Sequence, residues 1–397
     1  MSSGKGHLWP TREQELLLRA CLFGNDAGLA AYLEWMSRVD VEALDYGSFR
    51  MLPLLYRNLK RLGVEARVLD KFKGAYRQTH YQNKLAFYRV AALIDLLERA
   101  GIATMVLKGA ALIPLYYGEV GVRPMSDFDL VIRPEKALAA IDLLERSGWE
   151  REPGLPLTPG FVSIHYSWHF KLRAAAELDL HWYIFDQCCY PNADAELWEH
   201  SVPIEIEGFP SRALSATDQL LHTCVHGAQW DPVPPLRWIA DAMIILNCSG
   251  GQINWRRLVR QAKERRLVPA ARDTLTYLQT SLGAPVPDEV LLELRSAPVS
   301  LIERAEYRSR TSPPGNFATP RKIFFGYLRH RTHTPANGYG WLPAFPRYLQ
   351  ARWGASSLWQ VPVTGARLVK ASVLNRFSRE KPATKASAAA ADTGTCA

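Results

Sequence analysis

Residues 107–132 read LKGAALIPLYYGEVGVRPMSDFDLVI, and the close of this run decides the fold. Asp127 and Asp129 stand one residue apart in SDFDLVI, an otherwise apolar stretch that reads as a β-strand, with Phe128, Leu130 and Ile132 setting the core register. Residues i and i+2 of a strand share a face, so two carboxylates project on one side, about 7 Å apart. Like charges at a partly buried site repel, and desolvating them is costly unless a cation lies between. A divalent metal answers that cost, and hard oxygen ligands shared with phosphates suit Mg2+ or Mn2+ rather than zinc.

Working outward, ATMVLKG is a short apolar run closed by glycine and reads as a buried strand, after which AALIPLYYG predicts a helix of about two turns. Lys108, Gly109 and Ala110 thereby bring backbone N–H groups, a helix N-terminus and an ammonium to where a triphosphate docks. On the other side, Pro134 opens a helix, PEKALAAIDLLERSG, closed by a glycine just past its end. The succession is strand, helix, strand, helix. Next, Ser163, His165, Ser167, His169 and Lys171 alternate with Ile164, Tyr166, Trp168, Phe170 and Leu172. After the small turn RAAA, the run ELDLHWYIF puts Glu177, Asp179 and His181 on one face and Leu178, Leu180 and Trp182 on the other, so the two runs predict a β-hairpin. Asp179 then supplies a third carboxylate. Three acidic groups, a phosphate cradle and two metals suit in-line nucleotidyl transfer, one metal activating an acceptor hydroxyl and the other holding the triphosphate.

The succession of hG-small, then SDxDh, then a later hDh on a neighbouring strand resembles the DNA-polymerase-β-type nucleotidyltransferase superfamily. More narrowly, LKGAAL, LYYGEVGVRPMSDFDLVIRPEKALAAIDLLERSGW, ELDLHW, LSATDQLLHTCVHGAQW, LRWIADAMIIL and INWRRL are similar to a large bacterial group of uncharacterised nucleotidyltransferases, over about Lys108 to Leu258. The resemblance implies Asp127 and Asp129 as metal ligands, Asp179 as the carboxylate that promotes acceptor deprotonation, and Gly109-Ala110 as the phosphate-facing turn. Two departures stand out. Ala110 occupies the place of a phosphate-contacting serine, and Gly109 lies farther from Asp127 than in compact members. These departures leave open weaker nucleotide binding, a substituted role for Lys108 or Ser126, or a site that no longer catalyses.

Other residues carry open alternatives. Lys108 is a phosphate ligand or a surface lysine at a strand end. Arg123 steadies a phosphate or pairs with Glu119. His222 and His226 share a helix face at i, i+4, but Thr223 stands where a zinc protease needs glutamate, so a packed pair is expected. His165, His169 and His181 border the Asp179 face, as packing groups or acceptor contacts. Asp218 reads as part of a capping-box-like start at Ser215, and Arg237–Asp241 as a structural i, i+4 ion pair.

Residues 12–62 and 84–100 show helical periodicity, the latter ending at Gly101, and four helical segments run from Ser215 to about Gly283. The amino terminus lacks an apolar signal core and no apolar run reaches about 18 residues, which argues against secretion and membrane spanning. Six cysteines without C-x-x-C spacing read as reduced cytoplasmic thiols. The net charge of +9 is concentrated: residues 307–379 hold twelve Arg or Lys and no Asp or Glu, leaving 9 − 12 = −3 for the rest. Aromatics among those cations suit peripheral contact with an anionic membrane, a polysaccharide or a nucleic acid, or a basic packing domain.

The expected architecture is α+β: a small mixed-sheet nucleotidyltransferase core at 75–210, a helical segment at 1–74, a helical domain at 211–300, a basic aromatic-rich region at 301–380 and a disordered tail at 381–397. The expected reaction transfers a nucleoside monophosphate from an NTP to a hydroxyl on a small molecule, carbohydrate or protein. A degenerate binding module and a D-x-D glycosyltransferase are the alternatives, the latter requiring a larger nucleotide-binding α/β domain before the aspartates.

Overall fold

The computed structural model describes residues 8–172, 176–313, 318–333 and 341–367; the tail expected at 381–397 and the centre of the hairpin turn lie outside them. These residues divide into two units, one drawn from 1–153 and 162–335 and the other from 154–161 and 336–397. In the second unit, the helix Trp341–Arg352 carries Pro346 internally. Gly354 adopts φ +61° there, where a Cβ would lie 2.5 Å from the Pro156 carbonyl oxygen.

The first unit is built on one seven-stranded sheet: β1 Met105–Val106, β2 Phe128–Val131, β3 Glu150–Arg151, β4 Ser167–Leu172, β5 Ala176–His181, β6 Val202–Ile206 and β7 Phe209–Ala213. Their order across the sheet is β3-β4-β5-β2-β1-β7-β6. β2 pairs in parallel with β5 and β1 with β7, while β1–β2, β3–β4, β4–β5 and β6–β7 are antiparallel. The expected α+β class with a mixed sheet is what the chain adopts. All four residues of β2 are buried, as befits a central strand covered on both faces.

The β4–β5 hairpin forms as its alternation predicts, with Phe170 opposite Leu178 and His169 opposite Asp179. Its first arm is shorter than expected. Pro159 begins a helical turn, Pro159–Val162, and the strand starts only at Ser167, so Ser163 and His165 are not ladder residues. β2 also starts later than the sequence suggests, at Phe128 rather than Ser126, so Asp129 is in the ladder and Asp127 precedes it.

Residues ahead of the sheet are helical. The periodicity at 84–100 belongs to a 34-residue helix, Ala66–Arg99, that continues unbroken across position 75, lies against β6 and β7, and is followed by Gly101 at φ +68°. From it, Asn83 donates to the carbonyls of Val120 (2.7 Å) and Arg123 (2.9 Å) and accepts from the Met125 amide (3.3 Å), fixing the loop that delivers Asp127. The large α/β domain a D-x-D glycosyltransferase requires before its aspartates is not what residues 12–99 form.

After the sheet come Ala216–Gly227, Leu236–Cys248, Trp255–Glu264 and Val268–Leu282, the four segments read from the sequence. Ser215 caps the first by accepting from the Asp218 amide, and its hydroxyl donates to the Asp218 carboxylate at 2.8 Å. Asp218 is also paired with Arg257 at 2.9 Å, a buried structural bond. The five cysteines among the described residues are free thiols, and no described helix is long and apolar enough to cross a membrane.

Candidate active site

The parallel register of β2 and β5 sets Asp129 directly beside Asp179, on a face they share with His181. One ligand atom from each of these three residues lies within 4.8 Å of the other two, the one cluster of three or more such groups among the described residues. Asp129 is buried, and its Oδ1 accepts from Lys108 Nζ at 2.6 Å and lies 3.0 Å from His181 Nε2. Asp179 Oδ1 lies 2.7 Å from His169 Nδ1. Half-buried Asp127 accepts from Ser126 Oγ at 3.0 Å. It is not in the three-residue cluster, but it is close enough to feel the charges of Asp129, Lys108 and Asp179.

The charges divide the carboxylates. Burial alone would raise the pKa of Asp129, yet Lys108 and His181 outweigh it and hold the group far below the usual carboxylate range. Asp127 goes the other way, raised by burial and by the neighbouring Asp129, with Lys108 opposing. Lys108 is therefore the internal counter-ion of the cluster. Its ammonium stays protonated against the penalty of burial because Asp129, Asp127 and Asp179 surround it. It also holds φ +45°, a left-handed conformation that costs a non-glycine residue on the order of 1 kcal/mol.

Gly109 and Ala110, expected as a phosphate-facing turn, are buried. A Cβ on Gly109 would lie 2.3 Å from Arg123 Nη1 and 2.5 Å from Met125 Sδ, so packing against Arg123 by itself requires glycine there. Arg123 does not pair with Glu119. It is buried and bidentate on Asp241, at 2.7 and 2.8 Å, and Tyr117 Oη donates to the same carboxylate at 2.6 Å. The expected Arg237–Asp241 pair does not form either, because Arg123 reaches Asp241 with ideal fork geometry; Arg237 donates instead to the Pro124 carbonyl at 3.4 Å.

Two cavities flank the carboxylates. One, of about 160 Å³, is lined by Lys108, Arg123, His222, His226, Arg237 and Asp241. The other, of about 470 Å³, is walled by Tyr46, Phe49, Met125, Ser126, Asp127 and Phe128. Arg50 lines both. Sequence reasoning missed Arg50, which sits in an ordinary-looking helical stretch. It also gave His169 and His181 no more than a place beside Asp179, although strand alternation already put them on its face.

Of the expected packed pair only His222 is buried; His226, its ring centroid 6.0 Å away, is exposed. Burial, with His226 and Lys108 adding, drives the pKa of His222 well below its ordinary value. The unfolded chain then binds the proton that the folded one refuses, so stability should be full above about pH 6.5 and fall on acidification below it. Melting temperatures measured from pH 7.5 to 5 should drop less steeply for His222→Gln than for the wild type; equal slopes would sink the assignment.

Residues 48–283 match a family described as an uncharacterised nucleotidyltransferase. None of the curated proteins matches the chain. Among solved structures, the chain is similar to one titled "Crystal structure of an antigenic nucleotidyltransferase-like protein from Paracoccidioides brasiliensis", at 14% identity and a TM-score of 0.29, over 55% of this chain and 95% of that one. With the family match spanning more than half of its residues, the chain belongs to this nucleotidyltransferase family.

Proposed function

We propose that the protein transfers a nucleoside monophosphate from an NTP to a hydroxyl acceptor, with a divalent metal held by Asp127, Asp129 and Asp179. The observation that carries this reading is the in-register pair Asp129 and Asp179 with His181, inside a chain of the nucleotidyltransferase family. The donor set suits a metal: two carboxylates and an imidazole whose ligand atoms lie within 4.8 Å, with the His181 Nδ1 buried and without a hydrogen-bond partner. An imidazole among the oxygens favours Mn2+ over Mg2+ relative to an all-carboxylate site. When bound, the ion supplies Lewis-acid polarisation of phosphate oxygens and charge neutralisation.

The remaining roles fall to the chain itself. Asp179, steadied by His169, is the base placed to receive the acceptor's proton. Lys108 neutralises Asp129 and lines the smaller cavity, so it joins the carboxylates to the phosphate side, in place of the missing hydroxyl at Ala110. Arg50, common to both cavities, is the second cation toward the triphosphate. The exposed rings of Tyr46 and Phe49 offer the larger cavity a stacking surface for a base. Ser126 orients Asp127, and Arg123 acts by holding the loop rather than by touching phosphate.

The test is calorimetric titration of ATP, GTP, CTP and UTP with Mg2+ or Mn2+ into the wild type and into an Asp127→Asn, Asp129→Asn double variant. Metal-dependent binding of at least one nucleotide, lost in the double variant, is expected. A wild type that binds none of the four would overturn the reading in favour of a module that kept the fold without the chemistry.

A further inference from the structure

The smaller cavity, walled by Lys108, adjoins further concavities. Its wall residue Gln229 also lines a second cavity of about 330 Å³, with Trp230, Arg310, Arg321, Lys322 and Phe325. That cavity in turn shares Ser309, Ser312, Arg321 and Phe325 with a third, of about 720 Å³, which adds Arg304, Arg308 and Phe324. The three concavities adjoin through shared wall residues, from Lys108, the counter-ion of the metal-ligand cluster, to the surface between the helices Leu301–Thr311 and Ala318–His333.

The path is cationic. Arg304, Arg308 and Arg321 are exposed and have no carboxylate partner among the described residues. Arg304 and Arg308 are one helical turn apart and so share a face. Glu306, the one carboxylate on the walls of the two outer cavities, is already taken by Arg310 and by Arg329, the latter at 2.6 Å. Arg310 and Lys322 also lie against Asp186, at 2.9 and 3.9 Å. Unpaired guanidinium forks in a concavity call for phosphates, which they grip in a way that a lysine point charge does not. Interleaved with them is Phe324, 50% exposed, with the Phe325 ring 5.8 Å away. Stacking faces set among cations are what successive bases use, and a bilayer surface does not follow a recessed path.

We propose that this path binds a single-stranded nucleic acid and presents its terminal hydroxyl to the carboxylates as the acceptor. This rests on the nucleotidyl-transfer reading and names its acceptor class. The terminal hydroxyl oxygen forms a bond to the α-phosphorus of the NTP, the bond from that phosphorus to the pyrophosphate oxygen breaks, and the hydroxyl proton passes to Asp179. The products are a strand one nucleotide longer and pyrophosphate.

Fluorescence anisotropy of the full-length protein with labelled RNA and DNA oligonucleotides of about twelve nucleotides, without NTP or metal, tests the binding. Tightening at low salt is expected, with Arg304→Gln, Arg308→Gln, Arg321→Gln weakening it at least tenfold and flattening the log K against log salt slope by about 2, at roughly 0.7 per lost phosphate contact. Phe324→Ala should weaken binding without changing that slope. The triple variant should bind nucleotide with metal as the wild type does, so a failed nucleotide site and a failed groove are told apart. The RNA and DNA arms identify which strand is preferred. Circular dichroism checks that the surface variants fold. No oligonucleotide binding, unaltered binding by the triple variant, or a preference for vesicles of anionic phospholipid would overturn the proposal. Labelled NTP with metal then tests the acceptor: label should enter an oligonucleotide with a free terminal hydroxyl and not one lacking it, and binding without such transfer would overturn the acceptor role.

Discussion

Asp129→Asn is expected to reduce nucleotidyl transfer by on the order of a thousandfold or more, ~4 kcal/mol of lost transition-state stabilisation, while the fold survives. Asparagine keeps an oxygen where Lys108 Nζ and His181 Nε2 converge, at 2.6 and 3.0 Å, so neither is left without an acceptor. What it removes is the charge that holds the whole face together. Asp129 is buried and held by Lys108 and His181 far below its ordinary pKa, so it stays ionised at neutral pH. Asp127, raised by burial and by Asp129, loses one cause of that rise in the variant. Turnover should therefore fall while the acid limb of the pH profile moves to lower pH. Rates of pyrophosphate release for wild type and variant, at matched nucleotide and metal, would decide the matter. A variant retaining more than a tenth of the wild-type rate is incompatible with Asp129 as a metal ligand.

The largest effect on stability is expected at Arg123. Arg123→Met strips a buried carboxylate, Asp241, of two charge-assisted hydrogen bonds and leaves it only the Tyr117 hydroxyl. Breaking a buried pair from one side costs about 3–5 kcal/mol, chiefly because the remaining charge has lost its counter-charge. The double variant Arg123→Met, Asp241→Leu should recover much of that loss, since neither charge then remains, less about 1 kcal/mol for a stranded Tyr117 hydroxyl. Urea unfolding of the two singles and the double forms a cycle that checks this. Additive losses would mean the pair is not coupled. Because Arg123 Nη1 also fills the space beside Gly109, the single variant should loosen the loop that carries Asp127.

Much of the site was legible because a strand repeats every two residues. The alternation in ELDLHW and SDFDLV put Asp129, Asp179 and His181 on polar faces before any tertiary structure was known, and the glycine and proline signals closed the intervening helix correctly. What the pattern does not carry is which strand lies beside which. The 50-residue step from Asp129 to Asp179 becomes a lateral neighbour only through parallel β2–β5 pairing. The same limit hid Arg123–Asp241, partners 118 residues apart, behind the nearer i, i+4 candidate Arg237. The local rule proposed a bond that a longer connection supplied with better geometry. The start of β4 was misplaced for a different reason: residues 163–166 alternate as a strand does, but Pro159 had already committed the chain to a helical turn.

The offset between Asp127 and the start of β2 divides the labour of preorganisation. Asp129 and Asp179 are held by a hydrogen-bonded ladder at the centre of the sheet, so their separation is set once, when the chain folds, and adjusting it means disturbing the sheet. Asp127 stands outside that ladder, on a loop tied down through Asn83. One side of the pair is thus rigid, and its entropy was lost before any ligand arrived. The other side hangs on the hydrogen bonds of a single side chain, so in Asn83→Ala a ligand that orders this loop should bind with an entropic penalty that one contacting only the ladder escapes.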